Sequence, residues 1–423
     1  MATHAGVPLL SLALDLSRHL DLAHPALRDH HQLTAFIARE IARRTGVPEV
    51  RRGQLVMAAL LHDVGALTLK ERLDLLEFEH DVRTPGSMIH ARAAAQLLGE
   101  FPPFKDMAHI VAYHHVSWNA APEIAEAQGG IPPESHILHL ADRVAVLLRG
   151  TRSALGRAKQ IRRRIRGASG TMFAPQLVDA FDEMAETEAF WLQASDVDAC
   201  HILAETSDCC MAEVAVEDLK SLAKIFGFLI DFKSPFTAFH SGAVAATAEA
   251  LARRAGLPGD GPELMGIAGH LHDVGKMAVP ARILEKPKPL TAEEFNVMRG
   301  HAYYTYKILE GMSAFGPLRE WAAYHHERPD GKGYPFHLSA ADLSTGARLV
   351  AVADVYVALR ENRPYKAGLD AGRVVRILAQ MGRNGALDRD LVALMAEAEG
   401  EVDAACRAAL PGTMSTYERV AGC

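Results

Sequence analysis

Seven residues in the second half of this 423-residue chain are of types that bind transition metals: His240, His272, Asp273, His301, His325, His326 and Asp354. Imidazole nitrogens mixed with carboxylate oxygens suit Fe, Mn or Zn, whereas Mg and Ca prefer all-oxygen shells. Seven ligands exceed the needs of one ion, so a dinuclear centre with a bridging Asp is the economical arrangement. Two ions ~3.5–4 Å apart can stabilise both the attacking and the leaving oxygen of a phosphodiester. The chemistry implied is hydrolysis. A single helical His is more often a satisfied structural residue, but that explanation would have to be invoked for five histidines here.

The same order of residues occurs earlier in the chain. His30 to Pro48 (HHQLTAFIAREIARRTGVP) aligns without gaps on His240 to Pro258 (HSGAVAATAEALARRAGLP), an offset of 210. His62 and Asp63 pair with His272 and Asp273 at that offset. His90, His114 and His115 follow at 211, and Asp142 pairs with Asp354 at 212. Chance placement of 21 histidines would hardly produce this. The chain therefore reads as two copies of one domain.

The elements that must position these residues have a helical pattern. Phe36 to Gly46 and Val244 to Gly256 show i, i+3, i+4 apolar spacing and end at Gly before Pro. Ile137 to Leu148 and Arg348 to Leu359 each carry one Asp on an apolar face. No sustained alternation demands a sheet, so the expected class is all-α: two tandem helical bundles, residues 1–193 and 217–423, joined by a connector over 194–216. Cys200, His201, Cys209 and Cys210 in that connector match no usual zinc spacing and read as part of a helical linker.

Composition excludes several classes. A hydrophobic share of 49% with 23% charged residues is that of a globular protein, and a net charge of −7 argues against a general nucleic-acid coat. Arg149 to Arg166 holds eight basic residues and no acid; it reads first as a solvated or domain-contact face, with nucleic-acid or membrane binding the lesser reading. No stretch reaches the ~18 uncharged apolar residues of a membrane span. The opening segment lacks the basic start and cleavage site of a signal peptide. With five scattered cysteines and no disulfide framework, the expected location is the cytoplasm.

The run His325-His326-Glu327-Arg328-Pro329-Asp330-Gly331-Lys332-Gly333-Tyr334-Pro335, 53 residues after His272, resembles the HD-GYP family of cyclic dinucleotide phosphodiesterases. The likeness extends to KPKPLTAEEFNVMRGH and ARLVAVADVY and spans nearly the whole second copy. The resemblance implies that Asp273 bridges two metals and that the other six residues complete their shells. It implies that Lys276 contacts the scissile phosphate and that Arg363 and Lys366 grip the other phosphate. Gly331, Gly333, Tyr334 and Pro335 form the loop that names the family. Glycines there allow close approach of backbone to ligand, and the Tyr ring can pack on a base.

Departures from the family pattern also carry expectations. A third metal in some relatives uses two positions that are Phe236 and Val357 here, so two metals are expected. The Pro after the third His is Ala302, and Ser or Thr residues before the Arg-Pro-Tyr run are Glu361 and Asn362. The first copy keeps His30, His62, Asp63, His90, His114, His115 and Asp142. It has Ala66 at the Lys position, Val116-Ser117-Trp118-Asn119 in place of the loop, and Thr151 and Ala154 at the Arg and Lys positions. It reads either as a regulatory or vestigial metal centre, or as a site for another phosphoester served by Arg152 and the basic run.

The resemblance therefore implies a phosphodiesterase with an Fe or Mn dinuclear centre. Cyclic di-GMP is the expected substrate, giving linear pGpG and GMP, with 3′,3′-cyclic GMP-AMP the alternative. A non-catalytic cyclic dinucleotide receptor is the rival from another class. No polymeric nucleic acid is expected as a partner.

Overall fold

The computed structural model describes residues 9–21, 25–66, 69–78, 87–128, 130–149, 153–196, 216–233, 240–284, 286, 288–311, 316–361 and 367–409. Among them every regular element is helical; β-type pairing is confined to two isolated bridges, Ser169 with Phe173 and Asp330 with Ser339. The chain divides into two compact units, Met1–Val214 and Ala215–Gly422. Of the expected connector, residues 197–215, including Cys200, His201, Cys209 and Cys210, lie outside the described residues. No described helix is long and apolar enough to cross a membrane.

In the N-terminal unit, helix His30–Arg44 packs on Glu49–Leu61 and on Pro133–Leu148. The last of these is the unit's central helix, with fourteen of its sixteen residues buried. A helix surrounded by neighbours must be apolar on nearly every face. Its sequence supplies Ile137, Leu138, Leu140, Ala141, Val144 and Ala145, among which Asp142 enters the core together with the buried polar residues Glu134, His136, His139 and Arg143.

The C-terminal unit repeats this plan. Ala-rich helix His240–Arg254 packs on Gly261–Leu271 and on Thr345–Arg360, the central helix that carries Asp354. Alanine favours the helix intrinsically and lets two axes come close. Helices His30–Arg44 and His240–Arg254 also end alike: Val47 N–H donates to Ala42 O at 3.0 Å, and Leu257 N–H to Ala252 O at 3.1 Å. Ser344 caps the central helix by accepting from Ala347 N–H at 3.3 Å.

The His-Asp pairs sit where one helix stops. Leu61 and Leu271 end their helices, and the following turn presents His62-Asp63 or His272-Asp273 inward. A second helix then crosses the turn at a glycine. A Cβ on Gly275 would lie 1.9 Å from His301 O and 2.5 Å from Thr305 N; on Gly65 it would lie 2.1 Å from His90 O. All these atoms are backbone, so no side chain could move aside. This contact sets how near His301 comes to Asp273, and His90 to Asp63. Gly275→Ala is expected to push helix Ala292–Gly311 outward and destabilise the unit by at least about 2 kcal/mol, read as a lowered urea midpoint. An unchanged midpoint would show that the helix does not depend on this approach.

Candidate metal centre

Five separate pieces of the C-terminal unit bring the seven expected ligands together. His240 starts its helix, His272 and Asp273 follow theirs, His301 lies in mid-helix, His325 and His326 follow Leu318–Ala323, and Asp354 is on the central helix. Three overlapping sets have ligand atoms within 4.8 Å of one another: His240 with His272 and Asp273, His272 with His325 and Asp354, and His301 with His325 and His326.

The two oxygens of Asp273 face different histidines. Oδ2 lies 3.2 Å from His272 Nε2 and 4.0 Å from His240 Nε2, whereas Oδ1 lies 3.4 Å from His301 Nε2 and 4.0 Å from His325 Nε2. Asp354 Oδ1 sits 3.2 Å from His240 Nε2 and 3.9 Å from His272 Nε2. Such a carboxylate can serve two centres at once.

The tautomers are set by backbone geometry. His272, His301 and His325 each donate Nδ1–H to the carbonyl three residues earlier, on Gly269, Met298 and Ala322, at 2.8, 2.6 and 2.7 Å. Each Nε2 lone pair is thereby turned inward. Burial lowers the pKa of His301 and of His325, and with the neighbouring imidazoles it pushes His326 down to about 3. These rings are neutral at pH 7, the form in which imidazole binds a metal. His240 behaves differently: burial opposes its charge, yet hydrogen bonds to Asp354 and Glu361 push it up to about 10. Glu361 Oε2 lies 3.2 Å from His240 Nδ1, so a departure from the family pattern supplies a carboxylate behind a candidate ligand.

A metal fits this donor set. His272 Nε2 is buried without a hydrogen-bond partner, close to Asp273 but not aligned with it. The imidazole and carboxylate atoms around it are donors that a transition metal takes.

Lys276 extends from the turn after Asp273, its Nζ 2.5 Å from Asp273 Oδ2. Burial disfavours its charge, but Asp273 and Asp354 hold its pKa above the ordinary lysine value. Tyr334 packs against His326 with ring centroids 4.8 Å apart, and Arg299 lies over the Tyr334 ring at 4.7 Å. Gly333 lets the loop close on its own stem, since a Cβ there would meet Glu327 Cα at 2.4 Å. Arg363 and Lys366 lie outside the described residues, as do Asn362 and Phe236. Val357 is buried in the core.

The N-terminal unit reproduces the cluster. Asp63 Oδ2 faces His62 at 3.4 Å and His30 at 3.8 Å, while Oδ1 faces His90 at 3.6 Å and His114 at 3.8 Å. His115 joins Asp63, His90 and His114 within ligand distance. Its outer surroundings differ. Ala66 offers no cation. Arg143 is fully buried and holds Asp142 Oδ2 at 2.6 Å while donating to Leu75 O at 2.9 Å. Thr151 and Arg152 lie outside the described residues.

Several supporting residues escaped the sequence reading. Asp231 is buried, accepts from Ser241 N–H and Oγ–H, and is pushed up to about 7 by burial. Asp21 holds His31 Nδ1 at 2.5 Å in the same place of the first unit. Both lie on the 210-residue offset, which was the available signal. Thr305 Oγ1 donates to His272 O at 2.9 Å and accepts from Gly275 N–H at 3.0 Å. Glu327, also buried, accepts from Phe336 N–H at 2.6 Å and from Leu338 N–H at 3.0 Å, fixing the far side of the loop. Glu327→Ala is expected to cost about 3 kcal/mol, the scale of hydrogen bonds to a buried charge, in urea unfolding. It should also speed proteolysis within residues 328–338; wild-type stability together with wild-type cleavage would contradict this role.

Comparison with known proteins follows the same division. Residues 27–147 and 224–391 each match a model described as an HD domain. A 3′3′-cGAMP-specific phosphodiesterase of Vibrio cholerae is 30% identical over 347 residues, covering 79% of this chain and 79% of the relative. A cyclic di-GMP phosphodiesterase of Pseudomonas aeruginosa is 42% identical over 166 residues, 39% of this chain and 40% of its own. The crystal structure of a cyclic GMP-AMP specific phosphodiesterase of V. cholerae matches with a TM-score of 0.62 at 22% identity, over 93% of this chain and 98% of that one. That likeness shows a shared fold.

Proposed function

This chain belongs to the HD-GYP family of cyclic dinucleotide phosphodiesterases, and from that premise we propose that its C-terminal unit hydrolyses a 3′,5′-cyclic dinucleotide at the Asp273 cluster. The observation that carries the reading is the division of Asp273 between two histidine groups. His240, His272, Asp273, His301, His325, His326 and Asp354 would hold two ions of Fe or Mn. When bound, such a centre supplies Lewis-acid stabilisation of the attacking and leaving oxygens.

The protein's own groups account for the rest. Carbonyl-anchored imidazoles keep their Nε2 atoms aimed inward, so the site does not reorganise on binding. Lys276, partly exposed at the edge of a buried cluster, meets the scissile phosphate with a full positive charge and balances negative charge that grows during displacement. Tyr334, braced between His326 and Arg299, offers a ring for a purine base next to the reacting phosphate. Arg363 and Lys366 would grip the second phosphate, Arg through a bidentate fork and Lys as a point charge.

Cyclic di-GMP and 3′,3′-cyclic GMP-AMP both remain substrates of this reading. The P. aeruginosa relative supports the first, and the V. cholerae relative that matches across both units supports the second. The odd, scattered cysteines support a cytoplasmic setting.

Product chromatography with both dinucleotides provides the test. Wild type should release a linear dinucleotide from at least one. Asp273→Ala should abolish release, and Lys276→Ala should lower kcat about 10²–10³-fold, as expected for loss of a preorganised charge. Tight binding of both dinucleotides by metal-loaded wild type, without any linear product, would instead establish a receptor.

A further inference from the structure

We propose that the N-terminal unit carries a separate nucleotide-binding groove, remote in chemistry from either metal cluster and built on the basic helix Ala154–Gly167. The helix has two unlike basic faces. On one, Arg162 pairs with Asp182 at 2.8 Å and with Glu186 at 2.9 Å, and Arg166 also pairs with Asp182. Those charges are spent within the fold. On the other, Arg157 and Arg163 have no carboxylate within ion-pair distance among the described residues, and they line a cavity together with Arg164.

The cavity joins exposed arginines to an apolar lining. Its volume is about 530 Å³, within the ~300–1,000 Å³ of small-molecule sites. Leu147, Ile161 and Phe78 supply an apolar floor beneath the arginines. The Arg164 guanidinium lies over the Phe78 ring at 4.7 Å, giving a planar cationic surface of the kind on which bases stack. The wall carrying Phe78 is fixed from inside, because buried Arg143 donates to the carbonyls of Leu75 and Glu77. An aromatic base against that wall and a phosphate on Arg157 and Arg163 satisfy both halves of the groove. A nucleoside monophosphate unit, free or within a larger nucleotide, is the ligand class these features select.

The test is calorimetric titration of the full chain with GMP, for wild type, the Arg157→Glu/Arg163→Glu double variant and Phe78→Ala. Both arginines are exposed, so the double variant should fold, which circular dichroism checks. Wild type should bind one more equivalent of GMP than the double variant, and Phe78→Ala, which removes the ring that holds the Arg164 plane in place, should weaken that equivalent about tenfold, the scale of one stacking contact. Guanosine should not fill the groove. A folded double variant that binds as many equivalents as wild type at the same affinity would overturn the proposal, as would guanosine binding as tightly as GMP. The count is a difference between variants, so it stands whether or not the C-terminal unit binds GMP or cleaves any dinucleotide.

Discussion

A carboxylate buried among imidazoles is the interaction on which each unit rests. Asp273 is almost wholly shielded from water, and an ionised carboxylate in such a place is costly unless cations or donors surround it. Burial works to raise its pKa, but the Lys276 ammonium beside Oδ2 holds it well below the usual carboxylate range. The helices can be understood as the means of keeping those partners in place. The crossing at Gly275 brings His301 near, the Thr305 bridge locks the turn, and the central helix delivers Asp354 from the opposite side.

Comparing the two units separates what this constraint requires from what activity requires. Both retain a divided Asp, imidazoles aimed by backbone carbonyls, and a glycine at the helix crossing. They part at the rim. The second unit places Lys276 and the Tyr334 loop beside the cluster. The first places Ala66 there and turns Arg143 inward to engage Asp142. A cation committed to Asp142 and to two main-chain carbonyls is a structural tie, whereas Lys276 pairs with Asp273 while part of its side chain stays exposed. One scaffold thus supports two clusters of the same ligand types with different rims.

Much of this was legible in the sequence because the ligand types are rare and the repeat fixes their order. The helices bearing Asp142 and Asp354 were also readable, since Ile137 to Leu148 and Arg348 to Leu359 are apolar enough to be central. Glu327 was not: its role depends on the N–H groups of Phe336 and Leu338, which converge on it only once the loop has folded. Arg143 was hidden for a similar reason, since its carbonyl partners lie 66 and 68 residues away. Asp21 and Asp231 could have been found by extending the repeat upstream at the same offset, where Leu9, Ser11, Leu12 and Ala13 recur as Leu219, Ser221, Leu222 and Ala223. The basic run from Arg149 to Arg166 could be seen but not divided, because only the placement of Asp182 and Glu186 shows which arginines are neutralised.

Anomalous X-ray diffraction from crystals of the metal-loaded full chain tests the central claim most directly. Two peaks are expected in the C-terminal unit, ~3.5–4 Å apart, with one oxygen of Asp273 directed at each and Nε2 of the carbonyl-anchored histidines completing the shells. A single peak at saturating metal, or two peaks with Asp273 bound to only one, would contradict it.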